Sequence, residues 1–82
     1  MKITLKLYGG LEKHLPENSS NNQAVIEIDE SSNVEQVLNN FGVLPNQCRL
    51  VMVNGHHIMT EERAKRILVE SDSLAVWPPS TG

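Results

Sequence analysis

Aromatic residues are scarce in this sequence, and cysteine nearly absent. Tyr8, Phe41 and Trp77 are the three aromatics among 82 residues, and Cys48 is the single cysteine. One thiol excludes an internal disulfide framework and any zinc site made of several thiolates. No apolar run approaches the roughly 18 residues of a membrane-spanning helix. The start, Met1-Lys2-Ile3-Thr4-Leu5, alternates polar and apolar residues and lacks the apolar block of a signal peptide. These absences point to a reducing cytoplasm, where a lone thiol survives, and to no membrane partner.

Basic charge is also in short supply. Seven basic residues against ten acidic ones give a formal net charge of −3, so a nucleic-acid backbone is not expected as partner. No Lys or Arg occurs between Lys13 and Arg49, whereas Glu17, Glu27, Asp29, Glu30 and Glu35 all do. This stretch reads as a solvated acidic face, with docking to a basic partner protein as the alternative. There is no Gly-rich phosphate loop and no Ser/His/Asp set. His56 and His57 are neighbours on an expected strand and so point to opposite faces, which argues against a shared metal; no metal site is expected. Cys48 reads as a small half-buried hydrophobe and His14 as a surface residue. The chain alone is too poor in chemical groups to be an enzyme.

What is present is clear periodicity. Lys2 to Tyr8 alternates strictly, with Ile3, Leu5 and Leu7 on one side, as in a half-buried strand. Gly9-Gly10 ends it, and Leu11 and Leu15 suit one short helical turn. Pro16 to Gln23 reads as a flexible polar loop, and Ala24 to Ile28 as a second strand. Ser32-Asn33-Val34-Glu35 is a capping-box pattern with Ser32 as cap. Val34, Val37, Leu38 and Phe41 then follow at the spacing of one apolar helical stripe, which places Phe41 in the core. Gly42 suits the left-handed position after the helix, and Pro45 prevents continuation. Leu50 to Val53 is a third strand. Asn54-Gly55 is a strong hairpin signal leading into a return strand from His56 to Ile58. Thr60 is read as capping a short helix through Ile67, with Glu61–Lys65 and Glu62–Arg66 as helical ion pairs. Ser71-Asp72-Ser73 is a turn, and Leu74 to Trp77 the last strand. One helix cannot cover both faces of a four- or five-stranded sheet, so one sheet face should be open. Register places Met52 opposite His57, and the open face is predicted to carry Tyr8, Met52, His57 and Trp77. An aromatic–methionine patch of this kind marks an interaction surface.

Taken in order, several pieces resemble the MoaD/ThiS family of ubiquitin-like sulfur carriers, most of all the small subunit of molybdopterin synthase. They are the first strand followed by Gly10-Leu11-Glu12, the helix from Val34 to Leu38, Val53-Asn54-Gly55, Asp72 before the last strand, and Trp77-Pro78-Pro79. The resemblance spans the whole chain. It implies an α+β, ubiquitin-like β-grasp: a single domain over residues 1–82, with a mixed four- to five-stranded sheet packed on one main helix and a short tail from Pro78 to Gly82. It also implies that the open face, where Tyr8, His57 and Trp77 fall on corresponding positions, binds partner proteins. By the same resemblance Gly82 is the reactive residue. An adenylating, E1-like partner enzyme activates its carboxylate with ATP, sulfur replaces the adenylate, and the thiocarboxylate is delivered inside the large subunit of molybdopterin synthase for molybdenum cofactor biosynthesis. The chain itself binds no cofactor in this scheme, and Pro78, Pro79, Ser80 and Thr81 are the tail inserted into the partner. The residues suit that role: two prolines fix two φ angles, and Pro78 to Gly82 reaches roughly 16 Å when extended. Family members end in Gly-Gly, and this chain in Ser80-Thr81-Gly82. Three readings therefore stand: a molybdopterin-type carrier, a thiazole-type carrier, and a non-catalytic ubiquitin-like binding module that lost the Gly-Gly tail.

Overall fold

The computed structural model describes residues 1–80; the expectations placed on Thr81 and Gly82 lie outside the described residues. Strands β1 (Lys2–Leu7), β2 (Gln23–Glu27), β3 (Leu50–Val53), β4 (His56–His57) and β5 (Ser73–Trp77) form one sheet in the order β2-β1-β5-β3-β4, and a single α-helix, α1, runs from Val34 to Asn40. β1 and β5 pair in parallel at the centre, and every other pairing is antiparallel. This is the expected β-grasp, with five strands. No helix among the described residues is long and apolar enough to cross a membrane.

Alternation decides which sheet face meets the helix. Ile3, Leu5 and Leu7 of β1, Ala24 and Ile26 of β2, Val51 and Val53 of β3, and Leu74 and Val76 of β5 are all buried. They pack in one cluster with Val34, Val37 and Leu38 of α1. Two of the connecting turns need positive φ at both central residues. Asn54 (52°) and Gly55 (81°) make the expected two-residue hairpin turn. Asn21 (54°) and Asn22 (63°) make a second one, inside the segment read as a flexible loop. There Ser20 and Gln23 exchange both backbone hydrogen bonds, at 2.9 and 3.1 Å, and the Asn22 side chain donates to the Leu7 carbonyl.

The helix begins one residue later than the sequence pattern indicated. Asn33 is the N-cap: its Oδ1 accepts from the Gln36 N–H at 2.8 Å, and Gln36 Oε1 accepts from the Asn33 N–H at 2.9 Å. Ser32 instead donates its hydroxyl to the Asp29 carbonyl. The other early helical donors are satisfied from a distant segment, Val34 N–H by the Arg66 carbonyl and Glu35 N–H by the Arg63 carbonyl, both at 3.1 Å. That commitment explains a second correction. No helix runs from Thr60 to Ile67. The segment makes one 3-10 turn, Thr60–Glu62, continues in turns through Lys65, and only then extends, with Ile67 bridging to Asn33. Glu61–Lys65 and Glu62–Arg66 form no ion pairs, and Glu62 accepts the Met59 N–H instead. At the other end of α1, Gly42 (φ 78°) donates to the Asn39 carbonyl and Val43 to the Leu38 carbonyl, the Schellman arrangement that glycine permits. Phe41 is the C-cap, half-buried at the edge of the core rather than within it. His14 is likewise half-buried, not a surface residue. Its Nε2 is buried without a partner, and its ring lies beside Gly42.

Two expectations follow for chemical unfolding. Asn33→Ala removes the cap and costs about 1 kcal/mol, whereas Ser32→Ala costs well under that. Phe41→Ala costs about 1–2 kcal/mol, less than the roughly 3–5 kcal/mol of a fully buried phenylalanine. A larger Phe41 loss would return the ring to the core.

Candidate functional site

The parallel register of β1 on β5 continues past the strand end. The Tyr8 N–H donates to the Val76 carbonyl at 3.1 Å, which brings Tyr8 level with Trp77. Their rings stack with centroids 4.8 Å apart and planes 10° from parallel. Both are half-buried. The next row down the open face is set by three consecutive register pairs, Lys6–Ala75, Ala75–Met52 and Met52–His57. Met52 is half-buried and His57 exposed. The helix-free face therefore carries Tyr8, Met52, His57 and Trp77 together. Leu50, the register partner of Trp77, adds to the aromatic end. At the far edge, on β2, Val25 is 61% exposed on the same face.

The tail leaves from the aromatic end. Pro78, which follows Trp77, is seated over Gly9, and a Cβ at Gly9 would come within 2.6 Å of Pro78 Cγ and 2.7 Å of Cδ. Gly9 also has φ 62°. Glycine is thus required there twice, by the backbone turn and by the proline ring. Sequence reading saw Gly9 only as the end of a strand. A fold-level contact between residues so far apart in the chain leaves no local signal. Pro79 and Ser80 are exposed. A shallow groove runs beside the tail root, between the Gly9–Lys13 turn and Asn46-Gln47, with Pro78 and Pro79 as a wall.

The remaining chemical groups are spread out. The His56 and His57 side chains belong to different rows of the hairpin, opposite Val53 and Met52. The Cys48 thiol is buried, donates to the Leu44 carbonyl at 3.4 Å, and has its pKa pushed up by that burial, with Arg63 opposing weakly. It is the protonated thiol of a packing residue, far from nucleophile character. Asp72, also buried, is structural: its carboxylate accepts from Asn54 Nδ2 (2.8 Å) and the Val69 N–H (2.9 Å), tying the β3–β4 turn to the start of β5. The arrangement is an open sheet face with an aromatic stack at one end, from which the tail leaves, and no cluster of catalytic groups among the described residues.

Comparison with known proteins bears on the fold and the family. Among solved structures the chain is similar to the small archaeal modifier protein SAMP1 from Haloferax volcanii, at 19% identity and TM-score 0.67, covering 100% of this chain and 99% of that one. A second structure of small archaeal modifier protein 1 from H. volcanii gives 17% identity, TM-score 0.67 and coverage of 96% and 98%. A complex of subunits 1 and 2 of the molybdopterin-converting factor from Helicobacter pylori 26695 gives 15% identity, TM-score 0.60 and coverage of 100% and 99%. At these identities the likeness is one of fold. No curated protein matches. The family model described as Mut7-C ubiquitin matches residues 1–81, and the chain belongs to that ubiquitin-like family.

Proposed function

We propose that this protein is a sulfur carrier of the molybdopterin-synthase small-subunit type, working in a reducing cytoplasm. It is charged at Gly82 by an adenylating, E1-like enzyme that supplies the ATP site, and it docks on a synthase large subunit through its open sheet face. The observation that carries this reading is the placement of the tail root. Pro78 rests on Gly9 immediately beyond the Tyr8–Trp77 stack, so a partner gripping the stack receives the tail in a fixed direction. Binding through a rigid aromatic pair lets the docking energy offset the cost of fixing tail residues in the partner, about 1–2 kcal/mol for each residue so ordered. That a fold neighbour comes from a two-subunit molybdopterin-converting factor complex supports the choice of partner. In this scheme the chain supplies a carboxylate and its delivery, and the partner supplies activation.

The single glycine of Ser80-Thr81-Gly82 favours a second reading, a docking module whose tail is not charged. Intact mass separates the two. After incubation with the cognate activating enzyme, ATP and a sulfur donor, a carrier gains the mass difference of sulfur replacing one oxygen. Gly9→Ala, which unseats Pro78, lowers the charged fraction while the domain stays folded. An unchanged mass across every candidate activator overturns the carrier reading. For the docking face, Trp77→Ala weakens binding to the large subunit by about 2 kcal/mol or more. Loss of the stack costs about 0.5–1.5 kcal/mol of stability in addition. Calorimetry showing undiminished binding by Trp77→Ala removes the open face from the interface.

A further inference from the structure

Charge is divided unevenly between the two sides of the sheet. Acidic residues outnumber basic ones in the chain, ten to seven, yet Glu27 is the one acidic residue in any strand, against Lys2 and Lys6. Alternation puts both lysines on the open face, because Ile3, Leu5 and Leu7 of the same strand are buried on the helix side. Glu27 is already engaged, its carboxylate lying 2.8 Å from the Met1 ammonium. Asp29, Glu30 and Glu35 sit off the strands, in the turn before α1 and in its first turn. The open face is therefore basic on a chain that is acidic as a whole.

Lys6 occupies the decisive position. It is half-buried, in one row with Ala75, Met52 and His57. Ala75 is only 8% exposed although α1 lies on the other side of the sheet, so its larger row neighbours, Lys6 and Met52, shelter it. Tyr8 is two residues on from Lys6, about 7 Å along the strand, and Met52 is two strands across, about 10 Å. A partner that covers the Tyr8–Trp77 stack and Met52 therefore covers Lys6 as well. Among the described residues the Lys6 ammonium has no ion pair. Stripping water from an unpaired cation is costly unless the partner supplies an anion. We infer that the partner surface seated on the open face is acidic opposite Lys6, where an aspartate or glutamate meets the ammonium beside the apolar pocket that takes Trp77 and Met52. A protein carboxylate fits better than a phosphate backbone, which needs a run of cations, whereas here two lysines flank mostly apolar rows. The inference rests on the reading that the open face docks a partner protein, and it specifies what that partner carries. It also reverses the sign that the acidic stretch between Lys13 and Arg49 points to.

Calorimetric binding of the full-length protein to the synthase large subunit, at low and at raised salt, tests this. Lys6→Met keeps an aliphatic stem and removes the charge. It weakens binding about tenfold and flattens the salt dependence. Lys6→Glu sets like charges together and weakens binding on the order of 100-fold. Lys65→Met, at an exposed position in the segment that caps α1, leaves the affinity unchanged. Carbodiimide coupling of the unaltered complex gives a second readout that needs no variant to fold. It joins an amine to a carboxylate with loss of one water, and mass spectrometry of the digest finds Lys6 joined to an aspartate or glutamate of the large subunit. Three results overturn the inference. If Trp77→Ala weakens binding while both Lys6 variants bind as well as the unaltered chain, the face docks but meets no carboxylate, and the docking reading survives alone. If Lys6→Glu binds no more weakly than Lys6→Met, the loss belongs to packing and not to charge. If all three variants bind undiminished, the open face is not the interface, and the inference falls together with that reading.

Discussion

The parallel pairing of β1 with β5 is the constraint on which the rest of the molecule depends. The two strands lie at opposite ends of the described chain and side by side at the centre of the sheet. Parallel neighbours cannot be joined by a tight turn. Everything from Tyr8 to Asp72 is therefore one long crossover, and it must place its helix on one side of the sheet. The other side is left uncovered by construction. The same register sets Tyr8 against Trp77 and Gly9 under Pro78. The aromatic end of the open face and the tail root are thus two results of one pairing, and a slip of one residue would separate them while sending Leu5 or Leu74 outward.

A second long-range dependence ties the helix to the segment after β4. Three early donors of α1 are satisfied, one by Asn33 and two by the carbonyls of Arg66 and Arg63. The backbone that caps the helix thereby also carries the Arg63 side chain under it, against Cys48. The buried guanidinium is held where it is by main-chain bonds made for another purpose.

Much of this was legible in the sequence because local periodicity and burial agree. The alternation of β1, the Val34-Val37-Leu38 stripe, the Gly42 ending and the Asn54-Gly55 turn each follow from one short stretch. The failures share a cause. Ser32 and Asn33 are both good caps, and Glu35 and Gln36 both good partners. Only the bonds from Arg66 and Arg63 to the first turn choose between them, and those come from about thirty residues away. Thr60 to Ile67 has helical charge spacing, yet its Arg63 and Arg66 carbonyls are claimed by α1. Phe41 satisfies the stripe by count, but it is the residue at which the chain leaves helical geometry, so its ring falls at the core edge. The Asn21-Asn22 turn lacks the glycine that makes such turns conspicuous. On the open face, alternation placed the side chains. The seating of Pro78 on Gly9 was not visible in it.

Asn54 also sets how this domain ages. An asparagine followed by glycine is the pair most open to attack by the next backbone nitrogen on its side-chain amide, which releases ammonia and leaves aspartate or its backbone-shifted isomer. Here the amide is clasped on both sides: Nδ2 donates to Asp72 and Oδ1 accepts from the Ser73 N–H, each at 2.8 Å. While clasped, it is slow to reach the reactive geometry. Once converted, the donor facing Asp72 becomes a second carboxylate oxygen at contact distance, and attraction turns to repulsion beside the buried Asp72. The bond that protects the turn is thus also the one that deamidation would turn against it.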